Sequence, residues 1–135
     1  MYFNTTSVYE FKTLQNIINN LPENNKVHIV STDIAQGVPL LKKNQVWASR
    51  FPSLFMLPSL LKNTKIQSSK YTFDSLYEDL IKYKPDTIIF PSKEIGFNYY
   101  NYFISIDSRL KRIYEKYYKI KIVNKYIILS KYKEY

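Results

Sequence analysis

The stretch Asp86-Thr-Ile-Ile-Phe90, closed by Pro91, limits most sharply what this chain can become. It is short, β-rich and apolar without alternation. Such a strand needs cover on both faces, as in parallel sheets flanked by helices. The residues before it supply a helix. Thr72-Phe-Asp-Ser opens it, with Ser75 and Glu78 spaced as a capping box. Phe73, Leu76, Leu80 and Ile81 form its inner face, and Lys84-Pro85 ends it. The same order occurs earlier. Ser7 and Glu10 make a second capping-box pair, Phe11, Leu14, Ile17, Ile18 and Leu21 repeat at helical spacing, and Pro22 with Glu23-Asn-Asn stops the helix. Lys26 to Ser31 then reads as a strand. Two helix–strand units in succession imply a parallel crossover, with these two strands side by side.

The C-terminal part has a different pattern. Asn98 to Ser105 is expected to be helical. Asp107 suits the N-cap of a helix whose Ile106, Leu110, Ile113 and Tyr117 share a face. Lys119–Val123 and Tyr126–Lys131 are β-rich runs split by Asn124-Lys125, a two-residue connection that suits a hairpin. The expectation is therefore one α/β domain over residues 1–135, three layers deep. Its mixed, mainly parallel sheet ends in an antiparallel β-hairpin.

Composition excludes several chemistries. With 2 Gly and no Cys, a phosphate-cradling glycine loop, a cysteine zinc site and thiol catalysis are all ruled out. The single His, His28, lies in the middle of a strand, where a structural role is favoured. No metal site, cofactor or catalytic set is assigned. The N-terminus lacks the pattern of a signal peptide, and no apolar run reaches the roughly 20 residues that span a bilayer. The chain reads as soluble: cytoplasmic if free-standing, extracytoplasmic if part of a larger membrane protein. The formal charge of +9 favours anionic partners. From Asp107 onward lie nine of the 20 basic residues and three of the 11 acids.

Three groups of residues are candidates for binding. Asp33 follows the first strand at its carboxyl end, where open α/β sheets collect ligands. The loop after it carries Trp47, able to stack on a sugar or base, and Arg50, able to pair an anion or Asp33 itself. Asp33 as an acid or base ranks last, for want of a second catalytic group. Phe51-Pro-Ser-Leu-Phe-Met-Leu-Pro-Ser-Leu-Leu61 exceeds what one helix face needs. Phe51, Phe55, Met56 and Leu57 are therefore either core or a contact with a membrane or partner. Lys119, Lys121 and Lys125 with neighbouring Tyr offer weak, non-specific nucleic-acid binding as the alternative. The 14 Tyr are equally what AT-rich codons produce.

Two segments carry a resemblance. Val30-Ser-Thr-Asp-Ile-Ala-Gln-Gly-Val-Pro-Leu40 and Trp47-Ala-Ser-Arg-Phe-Pro-Ser-Leu-Phe-Met-Leu-Pro58 resemble the extracytoplasmic C-terminal domain of bacterial multi-pass membrane proteins that look like polyprenyl-phosphate-sugar-dependent glycosyltransferases. Lys84–Phe90, Asp107-Ser-Arg109 and the terminal hairpin look similar too, so the likeness covers most of residues 26–131. In that class the catalytic acids lie in loops between membrane helices, and this chain has no such helices. The resemblance thus implies a non-catalytic accessory or remnant domain, beside a membrane or a membrane-embedded protein portion. Asp33, Trp47 and Arg50 would touch a glycan or a polyprenyl-phosphate sugar.

Overall fold

A computed structural model describes residues 5–33, 37–54, 67–91 and 99–135. In chain order it contains α1 (Thr5–Asn19), β1 (Lys26–Ile29), a 3-10 turn (Val38–Leu40), β2 (Val46–Trp47), α2 (Gln67–Tyr83), β3 (Thr87–Pro91), α3 (Tyr99–Ile106), α4 (Ser108–Tyr117), β4 (Tyr118–Val123) and β5 (Tyr126–Lys131). The five strands form one sheet in the order β2-β1-β3-β5-β4. The β1 strand pairs in parallel with both β2 and β3, the latter through Val27↔Thr87, His28↔Ile88 and Ile29↔Ile89. The β5 strand runs antiparallel to β3 and to β4. Four of the five strands therefore point the same way, and the sheet is mixed, with its hairpin at one edge.

The alternation of side chains sorts the core into two layers. On one face Val30, Ile88, Phe90, Ile127 and Leu129 pack against α2, α3 and α4. On the other, Val27, Ile29, Ile89 and Ile128 pack against Leu14 and Ile18 of α1. All five residues of β3 are buried, as its unbroken apolar run requires. Phe90 is the centre of the thicker layer. Its ring makes edge-on contacts with Tyr100, Phe103 and Tyr114 at 5.5–5.8 Å, geometry that adds to simple area burial.

Local signals explain the joints. Asn24 and Asn124 take left-handed backbone at φ 63 and φ 53, which Asn tolerates better than most residues. They make the α1–β1 turn and the β4–β5 turn. Asp107 caps α4, accepting from the N–H groups of Arg109 and Leu110. Burial works against the charge of Asp107, but the bonds from Arg109 and Leu110 outweigh it and lower its pKa. Arg109 also reaches Asp74 at 2.7 Å and lies 4.8 Å over the Tyr77 ring, fastening α4 to α2.

Two expectations about helix starts are corrected. The α1 helix begins at Thr5, before Ser7, and α2 begins at Gln67, before Thr72. Ser75 and Glu78 are thus mid-helix residues, and Ser7 is no N-cap. A Ser three residues before a Glu also occurs inside helices, where it brings both to one face. Ile81 is exposed rather than part of the inner face of α2.

Candidate functional site

The 46–54 segment climbs alongside β1. Val46 and Ala48 donate to the carbonyls of Asn25 and Val27, and Leu54 donates to that of Ser31. Gln45 fixes its start. Its buried amide donates to the Ile18 carbonyl and accepts from the Lys42 N–H. Lys42 in turn places its ammonium on the carbonyls of Asn19 and Leu21, where a cation complements the C-terminal end of α1.

This arrangement decides the fate of the first candidate trio. Arg50 is directed at α2. Its Nε donates to Asp79 and its Nη2 to Glu78, both at 2.9 Å, while Nη1 donates to Ser75 Oγ at 3.2 Å. Asp79 also accepts from the Arg50 backbone N–H at 2.9 Å and from Ser49 Oγ at 3.4 Å. The bond from Asp79, then that from Glu78, raises the Arg50 pKa above its ordinary value. The expected pairing of Arg50 with Asp33 is therefore replaced by pairing with Asp79 and Glu78. Helical spacing in α2 places Ser75, Glu78 and Asp79 at i, i+3 and i+4, on one side toward this segment.

Trp47 is half-buried. Its Nε1 donates to the Phe51 carbonyl at 3.0 Å, and its ring meets His28 edge-on at 5.7 Å. His28 is buried, and among the described residues its Nε2 has no hydrogen-bond partner. Loss of water pushes its pKa down to about 4, although the charge of Asp79 opposes the shift. It is a neutral residue of β1, on the face of the sheet that carries α2. Asp33 is exposed beyond β1, and its N–H donates to Ser31 Oγ. Phe51 is half-buried against the larger core layer. Phe55, Met56 and Leu57 lie outside the described residues.

Sequence reasoning missed a groove on the other face of the sheet. The α1 helix covers β1, β3 and, through Ile128, the middle of β5, while on the same face Lys119, Lys121 and Ser130 stay exposed among the described residues. Between α1 and the hairpin lies a cavity of about 640 Å³. Ile17 and Leu21 from the helix, with Val123 and Ile128 from the hairpin, give it apolar walls. Asn16, Asn20 and Asn124 add amides. Lys12 and Lys121 flank it, and no acid lines it among the described residues. Among the described residues neither lysine has an ion-pair partner. The helix stripe and the Lys119–Lys121 alternation were each visible in the sequence. Their meeting was not, because it depends on β5 lying between β3 and β4.

The lysines of the nucleic-acid alternative are also placed. Lys119 and Lys121 are exposed on the groove side of β4, and Lys125 sits in the hairpin turn. Of the nearest tyrosines, Tyr118 and Tyr126 are buried, which leaves Tyr132 as an exposed ring, between Lys119 and Lys133. Among the described residues no helix is long and apolar enough to cross a membrane, and no cluster of His, Asp and Glu can hold a metal ion.

No protein-family model, characterised protein or solved structure matches the chain.

Proposed function

We propose that this domain is a non-catalytic binding module, accessory to a membrane glycosyltransferase-like protein, and that its groove holds an anionic, apolar ligand of the lipid-phosphate-sugar type. The observation that carries this reading is a pair of ammonium groups, Lys12 and Lys121, without ion-pair partners among the described residues, beside an apolar-walled cavity of about 640 Å³. That volume lies within the roughly 300–1,000 Å³ range of small-molecule sites. A phosphate would take the lysines, and the first isoprene units would lie on Ile17, Leu21, Val123 and Ile128. The amides of Asn16, Asn20 and Asn124 suit sugar hydroxyls. A binding role rather than a catalytic one is supported by the buried carboxylates Asp79 and Asp107, each of which already holds an arginine. In this proposal the apolar run from Phe51 through Phe55, Met56 and Leu57 meets the membrane or the membrane-embedded portion.

Calorimetry with farnesyl phosphate, farnesol and inorganic phosphate tests the reading. Farnesyl phosphate is expected to bind more tightly than either part alone. Lys12→Glu with Lys121→Glu is expected to weaken it at least tenfold, since one lost charge-assisted hydrogen bond is worth about 1.5–3 kcal/mol. Equal binding of farnesol, an unaffected double variant, or tighter binding of a single-stranded oligonucleotide would each reject it.

A further inference from the structure

Among the described residues the sheet ends at β4, with no strand beyond it in the order. The ladder shows which backbone groups this edge offers. The Tyr132 N–H donates to the Tyr117 carbonyl at 2.9 Å. Hydrogen-bonded pairs alternate along an antiparallel ladder. With Tyr118 opposite Lys131, the bonded pairs are then Lys119 with Ser130, Lys121 with Ile128 and Val123 with Tyr126. The N–H and C=O groups of Ile120 and Ile122 consequently point away from β5, toward the free edge. The side chains of these same residues are large, apolar and uncovered, at 47% and 69% exposure. They lie on the face of α2–α4, while Lys119 and Lys121 lie on the face of α1.

We propose that the β4 edge accepts an additional strand from a protein partner in which acidic and apolar residues alternate. The open donors and acceptors supply main-chain pairing, and alternate side chains supply selectivity. An apolar residue of the incoming strand lies against Ile120 or Ile122. The residues between project to the opposite face, where Lys119 and Lys121 call for carboxylates. A second copy of this chain is a poor occupant. Pairing β4 with β4 sets lysine across from or diagonal to lysine, and like charges so placed are destabilising. Lysines on an edge strand are a known guard against self-association. The same lysines leave an acidic strand welcome. Lys121 is shared with the groove, but Lys119, Ile120, Ile122 and their backbone groups do not line it, so Lys119 and the two isoleucines separate this surface from what the groove holds.

The test uses the whole chain and three labelled peptides of roughly eight residues. One alternates Glu and Val, one carries the same residues in two blocks, and one alternates Lys and Val. Anisotropy measures binding, and amide hydrogen exchange locates it. The alternating Glu/Val peptide is expected to bind best and to slow exchange at the amides of Ile120 and Ile122. Ile122→Asp, and separately Ile122→Thr, should weaken it severalfold, Asp more than Thr. Lys119→Glu should shift preference toward the Lys/Val peptide. Equal binding of the block peptide means charge attraction without strand addition and overturns the proposal. So does an absence of protection at those two amides, or indifference to both Ile122 variants.

Discussion

Arg50→Ala isolates the interaction that holds the 46–54 segment to α2. The bond to Glu78 joins a side chain that is 63% exposed, so its loss costs about 0.5 kcal/mol or less. Asp79 is different, with a side chain only 5% exposed. Removing the guanidinium leaves this carboxylate with the backbone N–H of residue 50 and a long contact from Ser49. One lost charge-assisted hydrogen bond to a buried acceptor costs about 1.5–3 kcal/mol. The full penalty of a buried, broken ion pair, about 3–5 kcal/mol, does not apply. Arg50 keeps 35% of its side chain in water, and water can enter where it stood. The expected destabilisation is therefore about 2–3 kcal/mol, seen as a lower urea midpoint at unchanged slope. For a chain of this size it corresponds to a fall in Tm of roughly 6–12 °C. Glu78→Ala, measured beside it, should move either value by a quarter of that or less. Arg50→Ala should leave farnesyl phosphate binding intact in the surviving folded protein. A loss below about 0.5 kcal/mol, or equal effects of the two variants, would refute the assignment of Asp79 as the principal partner.

Two more outcomes follow from other residues. His28 is neutral in the fold, its pKa lowered from 6.5 to about 4, while the unfolded chain takes up a proton below about pH 6.5. Between those values the unfolded state binds more protons, so stability falls as pH drops, by about 2 kcal/mol at pH 5 from this group. Urea midpoints at pH 7 and pH 5 should converge in His28→Phe, and an unchanged gap would place the dependence elsewhere. In flotation assays the chain is expected to associate with anionic liposomes in a manner that survives moderate salt and is lost with Phe55→Asp and Leu57→Asp; association abolished by salt alone would remove the apolar run from the contact.

The parts of the fold that could be read in advance rest on signals within one element. The buried run at Thr87–Phe90 has no other home than a covered strand, and Asn124-Lys125 between two β-rich runs closes only one way. The Asp107 cap needs just its neighbours. What escaped depends on contacts between distant segments. The β2 strand is two residues, Val46–Trp47, too short to show a period. It exists because β1 offers an edge and Gln45 anchors the loop to α1. Asp79 carries its signal in hindsight, since Ser75 and Asp79 sit one turn apart beside Leu76 and Leu80. A polar stripe next to an apolar one marks a face that packs against a charged neighbour. Nothing in the local sequence says that the neighbour is Arg50. The groove is more distant still, combining α1 with the hairpin some 100 residues later.

Nuclear magnetic resonance of isotope-labelled protein, titrated with farnesyl phosphate, reads the binding face directly. Shifts are expected to concentrate at Lys12, Ile17 and Leu21 on α1 and at Lys121, Val123 and Ile128 on the hairpin, with contacts from the isoprene methyls to Ile17 and Ile128. The Trp47 indole and the Asp33 amide should stay in place. Shifts gathered instead around Asp33, Trp47 and Arg50, with the α1 and hairpin signals unmoved, would contradict binding in the groove.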